Sequence, residues 1–288
     1  MNFLENYDFG SLTGYKTKGV VKRYKEVSSK QDLLDTLEYV QNNNVKFVAC
    51  GGGSNILIKG SFDGIFVSYK DESIQKMSES PTQVLISAGA SLDKQKLVEY
   101  CYDNGYSGLE FWAGIPGLVG GGVAMNCGAY GSQTQDCVSE VELCSLDKGI
   151  HTVFDEDVKW SYRSSGFSRT EVITSCTFRL KKDDPKKVRT LSLEHVKDRE
   201  LKHPLEYPSC GSVFKNPEGT TKGAWELIKD AGLCGSKVGG AMVSTKHSNF
   251  IVNVGGATYS DVIQLIEQIK IKVKQTSGIQ LSEELRIY

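Results

Sequence analysis

The chain has 288 residues, of which 39% are apolar and 24% charged, and its formal net charge at pH 7 is −1. This composition is typical of a globular protein of about two domains, and so balanced a charge gives no general attraction for nucleic acid or membranes. Residues 1–12 are acidic and interrupted by polar side chains, unlike a signal peptide, and no apolar run approaches the ~20 residues that cross a bilayer. We therefore expect a soluble protein, without membrane insertion, that acts on small molecules.

The first half of the chain predicts short strands, one clear helix and a long glycine-rich segment. Apolar or alternating residues predict strands at 46–50, 64–68, 83–88, 138–146 and 176–180. Ser91 is placed to cap a helix that ends at Gly105. The glycine-rich segment, residues 105–131, lies between this helix and the strands that follow.

The second half of the chain has a different pattern. The charged run KKDDPKK at 181–187 is the best candidate for a domain boundary. Beyond it, helical spacing predicts a short helix from Ala224 to Ala231 and a longer one capped by Ser260 and closed by Gly278. Strands are expected at 250–254 and in the last ten residues. Strands and helices mixed in this order indicate an α+β protein.

The cysteines and histidines form no metal-binding pattern. The eight cysteines stand singly, without a C-x-x-C pair, and the four histidines form no H-E-x-x-H motif. Without a secretion signal we expect reduced, mostly buried thiols and no disulfide framework. No metal site is predicted.

Two glycine-rich loops are the most informative feature of the sequence. They are GGGSN at 51–55 and the segment 105–131, which has nine glycines in 27 positions. Glycine lets the backbone approach a ligand closely or adopt a positive φ, and bare N–H groups can face an anion. We predict that these loops bind a large phosphate-bearing cofactor, with turns between strands as the alternative. Neither loop has the G-x-G-x-x-G or G-x-x-x-x-G-K-[ST] pattern, so no Rossmann or P-loop site is expected.

Three polar side chains are candidates for chemistry. Arg163, within WSYRS, has a planar guanidinium suited to a substrate carboxylate, although such a Tyr-Arg pair is also common on surface strands. Ser212, within PSCGSVFKNP, either projects from a tight turn or simply completes it. Glu284 lies on the face of the last strand opposite Leu281 and Leu285, so it faces either a cleft or solvent.

Six segments together closely resemble the UDP-N-acetylenolpyruvoylglucosamine reductase (MurB) family of peptidoglycan synthesis. They are GGGSN at 51–55, GLEFWAGIPGLVGGGVAMNCGAYG at 108–131, YRSSGF at 162–167, PSCGSVFKNP at 208–217, HSNFIVN at 247–253 and LSEELR at 281–286. Each segment is weak by itself, but six in the family's order, over most of the chain, are specific.

The resemblance implies both a fold and a cofactor. The fold would be α+β, with a two-subdomain FAD-binding module of the vanillyl-alcohol-oxidase (PCMH) type and a C-terminal α/β substrate-binding domain. The implied domains are 1–70, 71–187 and 188–288. FAD would bind non-covalently, with NADPH as co-substrate. The implied cofactor-binding residues are Gly51, Gly52, Gly53, Ser54, Asn55, Ala113, Gly114, Gly117, Gly121, Gly122 and Asn126.

The resemblance also implies a reaction, the reduction of UDP-N-acetylglucosamine enolpyruvate to UDP-N-acetylmuramate in the cytoplasm. The family's catalytic residues match Arg163, Ser212 and Glu284. Arg163 would clamp the substrate carboxylate, and Glu284, held protonated, would donate to its other oxygen. Ser212 would protonate the α-carbon after hydride reaches the β-carbon. Tyr162 and Asn216 are implied substrate contacts.

Some positions depart from the family pattern. The interval between Arg163 and Ser212 resembles a shorter subtype without the substrate-covering insertion and its tyrosine loop. Thr17-Lys18-Gly19-Val20 departs from the usual N-terminal T-x-x-x-G-G, which leaves FAD contacts there open. Cys127 and Cys210 stand where alanine is common, and Ser282-Glu283 replaces Glu-Pro. None of these changes removes a catalytic group.

Two other functions remain as alternatives. One is a flavin oxidase or dehydrogenase of the same superfamily that acts on another substrate, and the other is a non-catalytic nucleotide-sugar or flavin-binding protein. The combination of Arg163, Ser212 and Glu284 argues against both. No obligate protein partner is inferred.

Overall fold

The computed structural model describes residues 1–168 and 170–288. The described α-helices are α1 Lys30–Asn42, α2 Lys94–Asn104, α3 Val119–Ala124, α4 Pro185–Lys202, α5 Ala224–Asp230 and α6 Tyr259–Ser277. The described strands are β1 Leu4–Asp8, β2 Val20–Val27, β3 Phe47–Ala49, β4 Ile56–Leu57, β5 Ser61–Tyr69, β6 Ile74–Glu79, β7 Gln83–Gly89, β8 Tyr106–Ser107, β9 Gly128–Ala129, β10 Ser132–Gln133, β11 Val138–Ser145, β12 Gly149–Phe154, β13 Val172–Lys182, β14 Lys237–Val238, β15 Ala241–Val243, β16 Ile251–Asn253 and β17 Arg286–Ile287. The predicted α+β class is confirmed.

The chain divides into two compact units, and the first comprises residues 1–5, 23–52 and 64–199. Its largest sheet has the strand order β12-β11-β13-β7-β6, with β8 beside β13, and its strands pair antiparallel. Helices α2 and α3 contribute to the core on this sheet, where Trp112 and Phe178 are fully buried with their rings edge to face. A second core lies between α1 and the parallel strands β3 and β5.

The second unit comprises residues 6–22, 53–63 and 200–288. Strands β14, β15 and β16 form an antiparallel sheet, and β17 pairs in parallel with β4. Helix α6 presents one apolar face to the core of this unit, as its 3.6-residue periodicity predicts. The residues of that face are Val262, Leu265, Ile266, Ile269 and Val273, all buried.

Two helices begin at caps other than those predicted. Asp93, not Ser91, caps α2, because its carboxylate accepts from the Gln95 N–H at 2.7 Å. Thr258, not Ser260, caps α6 and forms a capping box with Asp261. Both helix ends are as predicted, with Gly105 and Gly278 in the left-handed conformation at φ 71° and 74°.

The strand predictions hold for most segments but fail at the C-terminus. Of the last ten residues, only Arg286 and Ile287 form a strand, although Leu281 and Leu285, on the face opposite Glu284, are buried as an apolar face of a strand would be. The 181–187 segment joins the end of β13 to the start of α4, and the three-domain division remains a prediction. Within the described residues, none of the helices has the length and apolarity to span a bilayer. The same residues contain no cluster of three or more His, Cys, Asp or Glu side chains suited to a metal ion.

Candidate active site

The glycine-rich segment of the first unit folds into turns around the short helix α3. The N–H groups of Val119 and Gly120 donate to the carbonyls of Leu92 and Ala90, each at 2.9 Å, and so fix the start of the helix. Ala113 is buried, and Gly114 and Gly117 adopt positive φ values of 73° and 111°, which favour glycine. Several of the predicted cofactor-binding residues are thus held in one stretch of backbone.

Adjacent glycines in α3 differ in what a side chain would meet. A Cβ on Gly122 would lie 2.9 Å from the Trp112 ring, so packing inside the protein demands glycine there. A Cβ on Gly121 would meet nothing within 4 Å, and Gly121 is exposed. The Gly121 N–H also donates to no other group of the described chain. Packing therefore does not explain Gly121, whereas close approach of a ligand to bare backbone does.

The loop at 51–55 also presents unused backbone donors. In the described chain, none of its five N–H groups donates a hydrogen bond. Gly51 and Gly52 belong to the first unit, and a Cβ added to either would lie 3.6 Å from the Leu118 side chain. Gly53 belongs to the second unit and has φ 71°. A row of free N–H groups is the donor chemistry that phosphate oxygens require.

Arg163 lies at the corner of a tight turn in the first unit, not on a surface strand. The turn is closed by reciprocal backbone hydrogen bonds between Ser161 and Ser164, at 2.9 and 3.1 Å. Arg163 itself has φ 60°, an uncommon conformation for a non-glycine residue that is concentrated at functional sites. Its Nη2 donates to the Gly128 carbonyl at 3.0 Å, and its guanidinium lies 5.0 Å from the ring centroid of Tyr162.

Asn126 is enclosed by the protein rather than open to a ligand. It is fully buried at φ 38°, and its Nδ2 donates to the Ser161 carbonyl at 3.1 Å and to Gln135 Oε1 at 2.8 Å. Its Oδ1 accepts from the Gln135 N–H. The side chain therefore holds the turn that carries Arg163, and any cofactor contact by Asn126 remains a prediction.

In the second unit, Ser212 and Glu284 lie on two adjacent extended segments. Gly211 has φ 77°, so Ser212 follows a tight turn as expected, and Ser212 forms a bridge with Phe250. On the other side, the Glu284 N–H donates to the Val213 carbonyl at 2.8 Å. Glu284 is thereby placed beside the residue that follows Ser212, and both catalytic candidates are half-buried.

Two asparagines of the second unit hold these segments. Asn249 is buried and pairs with both backbone groups of Phe214: its Oδ1 accepts at 3.0 Å and its Nδ2 donates at 2.9 Å. Asn55 donates from Nδ2 to the Glu284 carbonyl at 3.1 Å.

Asn216 accepts from the Ala224 N–H at 3.0 Å, at the start of α5. Cys210 contributes no nucleophile, because burial raises the pKa of its thiol to about 12.

Sequence reasoning missed Asn249 and Lys94. Asn249 lies in the HSNFIVN segment, which resembles the family, but nothing local in that segment marks its paired hydrogen bonds. Lys94 is 3% exposed and precedes Leu97 and Val98 by three and four residues on the buried face of α2. That spacing is visible in the sequence and could have marked Lys94 as a buried cation.

Comparison with known proteins identifies the family. Residues 203–288 match the model of the C-terminal domain of UDP-N-acetylenolpyruvoylglucosamine reductase, and residues 21–153 match that of an FAD binding domain. A reductase of this name from Exiguobacterium sibiricum is 35% identical over 286 residues, which cover 99% of this chain and 92% of the relative. The chain belongs to the UDP-N-acetylenolpyruvoylglucosamine reductase family.

Other members of the reductase family match to a similar extent. The enzyme from Geotalea uraniireducens is 36% identical over 96% of this chain and 90% of its own length. The crystal structure of the reductase from Thermus caldophilus superimposes with a TM-score of 0.83 at 26% identity, and the match covers 100% of this chain and 98% of that one. The resemblance seen in the six sequence segments is thus confirmed over the whole chain.

The residues present fit the FAD that the family uses. The bare backbone at Gly121 and the free N–H groups at 51–55 offer close approach and anion-binding donors without a competing side chain. Gly122 serves packing against Trp112, and Asn126 serves the turn that carries Arg163. In each glycine loop, the groups suited to the cofactor belong to the backbone more than to side chains.

Proposed function

We propose that this chain reduces UDP-N-acetylglucosamine enolpyruvate to UDP-N-acetylmuramate, with NADPH as the electron donor, in the synthesis of peptidoglycan. The observation that carries this proposal is the 35% identity to a named reductase over 99% of the chain. Bound FAD, reduced by NADPH, would supply the hydride that the protein's own side chains lack. The NADPH and UDP-sugar co-substrates favour a cytoplasmic location.

The cofactor would be held by the two glycine loops. Gly121 and the N–H groups of residues 51–55 are suited to its pyrophosphate, because they combine open space with unused donors. Gly114 and Gly117 would contribute through their left-handed backbone, and Ala113 through its main chain alone, since its side chain is buried.

Arg163 would bind the carboxylate of the substrate. An enol ether is electron-rich, so hydride addition at its β-carbon becomes favourable only when the carboxylate can accept the charge that develops. A guanidinium offers two parallel donors to such a group, and donors fixed in advance stabilise developing charge most effectively. The turn that locks Arg163 and its bond to the Gly128 carbonyl supply that fixed position.

Glu284 and Ser212 would complete the proton chemistry. Glu284, held protonated, would donate a hydrogen bond to the second carboxylate oxygen. Ser212 would then protonate the α-carbon and give the D-lactyl ether. The hydrogen bonds from Asn249 to Phe214 and from Asn55 to Glu284 fix the backbone on which these two side chains stand.

Tyr162 and Asn216 would contact the substrate beyond its carboxylate. Tyr162 is 42% exposed, with its ring against the Arg163 guanidinium, so its phenol remains accessible to a ligand. Asn216 is exposed next to the start of α5. Both assignments follow from the matching family positions.

Steady-state turnover under anaerobic conditions tests the proposal. The yellow holoprotein should oxidise NADPH continuously in the presence of UDP-N-acetylglucosamine enolpyruvate and release UDP-N-acetylmuramate, identified by mass spectrometry. UDP-N-acetylglucosamine, which lacks the enolpyruvyl group, is the matched control and should support no turnover. If neither compound supports turnover, and the reduced protein reacts rapidly with oxygen once air is admitted, the chain is instead a flavin oxidase.

A further inference from the structure

The hairpin formed by β9 and β10, residues 128–133, has a tyrosine in an unfavourable turn position. Ala129 pairs with Ser132, so Tyr130 and Gly131 form a two-residue turn, and their φ values are 54° and 80°. Positive φ at both central residues is the pattern of a type I′ turn, which favours Asn-Gly. Tyrosine seldom adopts such a φ, so a contact outside the turn must hold Tyr130 in place.

Helix α4 provides that contact. The Tyr130 ring stacks on the His195 ring, with centroids 3.9 Å apart and planes 2° apart. The Tyr130 hydroxyl lies within hydrogen-bond distance of the His195 carbonyl, at 3.1 Å, and of Asp198 Oδ2, at 3.2 Å. Burial, and then the hydrogen bond to Asp198, raise the pKa of the Tyr130 phenol, which therefore remains a donor. Both the ring and the hydroxyl thus attach the hairpin turn to α4.

The histidine in this stack is itself held in place. His195 Nδ1 lies 2.9 Å from the Glu110 carbonyl, which can only accept, so Nδ1 is the donor. Glu110 is buried, and its carboxylate accepts from the Gly108 N–H at 2.7 Å. The ring on which Tyr130 stacks is therefore anchored to a buried part of the glycine-rich segment.

The other end of the hairpin contacts the side chain of Arg163. The Gly128 carbonyl accepts from Arg163 Nη2 at 3.0 Å, and a Cβ on Gly128 would lie 3.1 Å from Nη1. Asn126 holds the backbone of the Arg163 turn through the Ser161 carbonyl, whereas the hairpin contacts the guanidinium. The guanidinium therefore rests on the same short hairpin that Tyr130 attaches to α4.

We propose that Tyr130 is a positioning residue for Arg163, which it holds through the hairpin by its attachment to His195 and Asp198 of α4. The inference rests on the proposed function, in which Arg163 binds the substrate carboxylate. When Tyr130 is released, the hairpin turn loses its attachment, and the Gly128 carbonyl no longer fixes the guanidinium. Misplacement of a binding group by about 1 Å can slow a reaction by about 10²-fold. Tyr130 therefore affects the step in which the substrate accepts hydride, without itself contacting the substrate.

Two substitutions in the holoprotein separate the turn from its attachment. Tyr130→Asn introduces a residue that this turn favours but removes the ring and the hydroxyl. In stopped-flow measurements it should leave the reduction of flavin by NADPH unchanged and slow reoxidation by the enolpyruvyl substrate by about 10–100-fold. Tyr130→Phe keeps the stacked ring and should recover most of the rate. Tyr102→Leu is the matched control and should react like the wild type, because the Tyr102 ring contacts Arg189 of the same helix α4, at 5.2 Å, from α2.

Hydrogen exchange without substrate tests the attachment independently of the reaction. The amides of residues 127–134 should exchange several times faster in Tyr130→Asn than in the wild type or in Tyr102→Leu. Unchanged exchange, or faster exchange with unchanged reoxidation, would overturn the positioning role, and a raised KM with unchanged exchange would show instead that Tyr130 contacts the substrate. If the wild type does not turn over the substrate, the proposed function fails, and exchange still decides whether Tyr130 holds the hairpin. If Tyr130→Asn does not fold, His195→Leu, which removes the other ring of the stack, gives the same comparison.

Discussion

The glycine-rich segment of the first unit and the Ser212–Glu284 segments of the second unit present chemical groups by opposite means. At Gly121 the protein leaves out a side chain and offers bare backbone to a ligand. Around Ser212, backbone groups form hydrogen bonds with asparagine side chains and with neighbouring extended segments. These bonds hold particular side chains in place. A cofactor with a pyrophosphate needs several backbone donors, whereas the proton chemistry of the reaction needs a few groups in fixed positions. We therefore expect substitutions at Gly121 to weaken cofactor binding, and substitutions around Ser212 to slow the reaction with substrate.

The largest effect is expected from Ser212→Ala. Reduction of bound flavin by NADPH should continue, but its reoxidation by the enolpyruvyl substrate should slow by about 10²–10⁴-fold, because the proton donor is lost. Stopped-flow absorbance measures both steps separately. Ser282→Ala, an exposed serine on the neighbouring segment, should leave both rates near wild type. Equal slowing of both steps by Ser212→Ala would show that Ser212 is not the proton donor.

Asn249→Leu should destabilise the second unit. The substitution leaves the buried N–H and C=O groups of Phe214 without their side-chain partner, at about 1–3 kcal/mol for each unpaired group. Urea unfolding gives the change in the free energy of unfolding. Reoxidation of flavin by substrate should slow as well, since the Ser212 segment loses its support. A variant with wild-type stability would show that these two hydrogen bonds do not hold the segment.

Two adjacent glycines should give opposite results. Gly121→Ala should leave the apoprotein as stable as the wild type or slightly more so, because alanine favours helix, yet weaken FAD binding by about 1–3 kcal/mol through overpacking. Gly122→Ala should instead lower the stability of the apoprotein by about 1–3 kcal/mol, because its Cβ would press on Trp112. Thermal melting and FAD titration distinguish the two variants. If both lower stability alike, the distinction between the two glycines is wrong.

The smallest effect is expected at the start of α6. Thr258→Ala should cost about 1 kcal/mol, because the hydroxyl accepts from the Asp261 N–H. Ser260→Ala, the cap favoured by sequence pattern, should be close to neutral, since Ser260 already lies within the helix. Denaturant unfolding measures both. A larger loss from Ser260→Ala would contradict the cap seen in the structure.

Sequence reasoning located the helices, most strands and the segments that resemble the family. It did not locate the side chains that hold those segments in place. Periodicity located α6 and the buried face of its five apolar residues, because that pattern is local in the chain. The predicted caps lie two residues from the observed ones because Ser91 and Asp93, like Thr258 and Ser260, are all residue types that cap helices. Which one caps depends on where the preceding chain enters the helix.

Other features of the structure depend on long-range contacts that no local pattern shows. Asn126 has the same side chain whether it faces a cofactor or holds Ser161 and Gln135, and only the fold shows that its amide is already engaged. Likewise, residues 6–22 and 53–63 lie in the same unit as the C-terminal residues, which no local pattern indicates. The last ten residues alternate like a strand, but within the described chain only Arg286 and Ile287 form one, paired with β4, while Glu283 makes an isolated bridge to Phe214.

A single anaerobic turnover tests the proposed reductase most directly. One equivalent of NADPH is mixed with the holoprotein until the flavin absorbance is lost, and UDP-N-acetylglucosamine enolpyruvate is then added. We expect the flavin absorbance to return in full, with one equivalent of UDP-N-acetylmuramate formed. If the flavin stays reduced until oxygen is admitted, the chain is a flavoprotein that acts on another substrate.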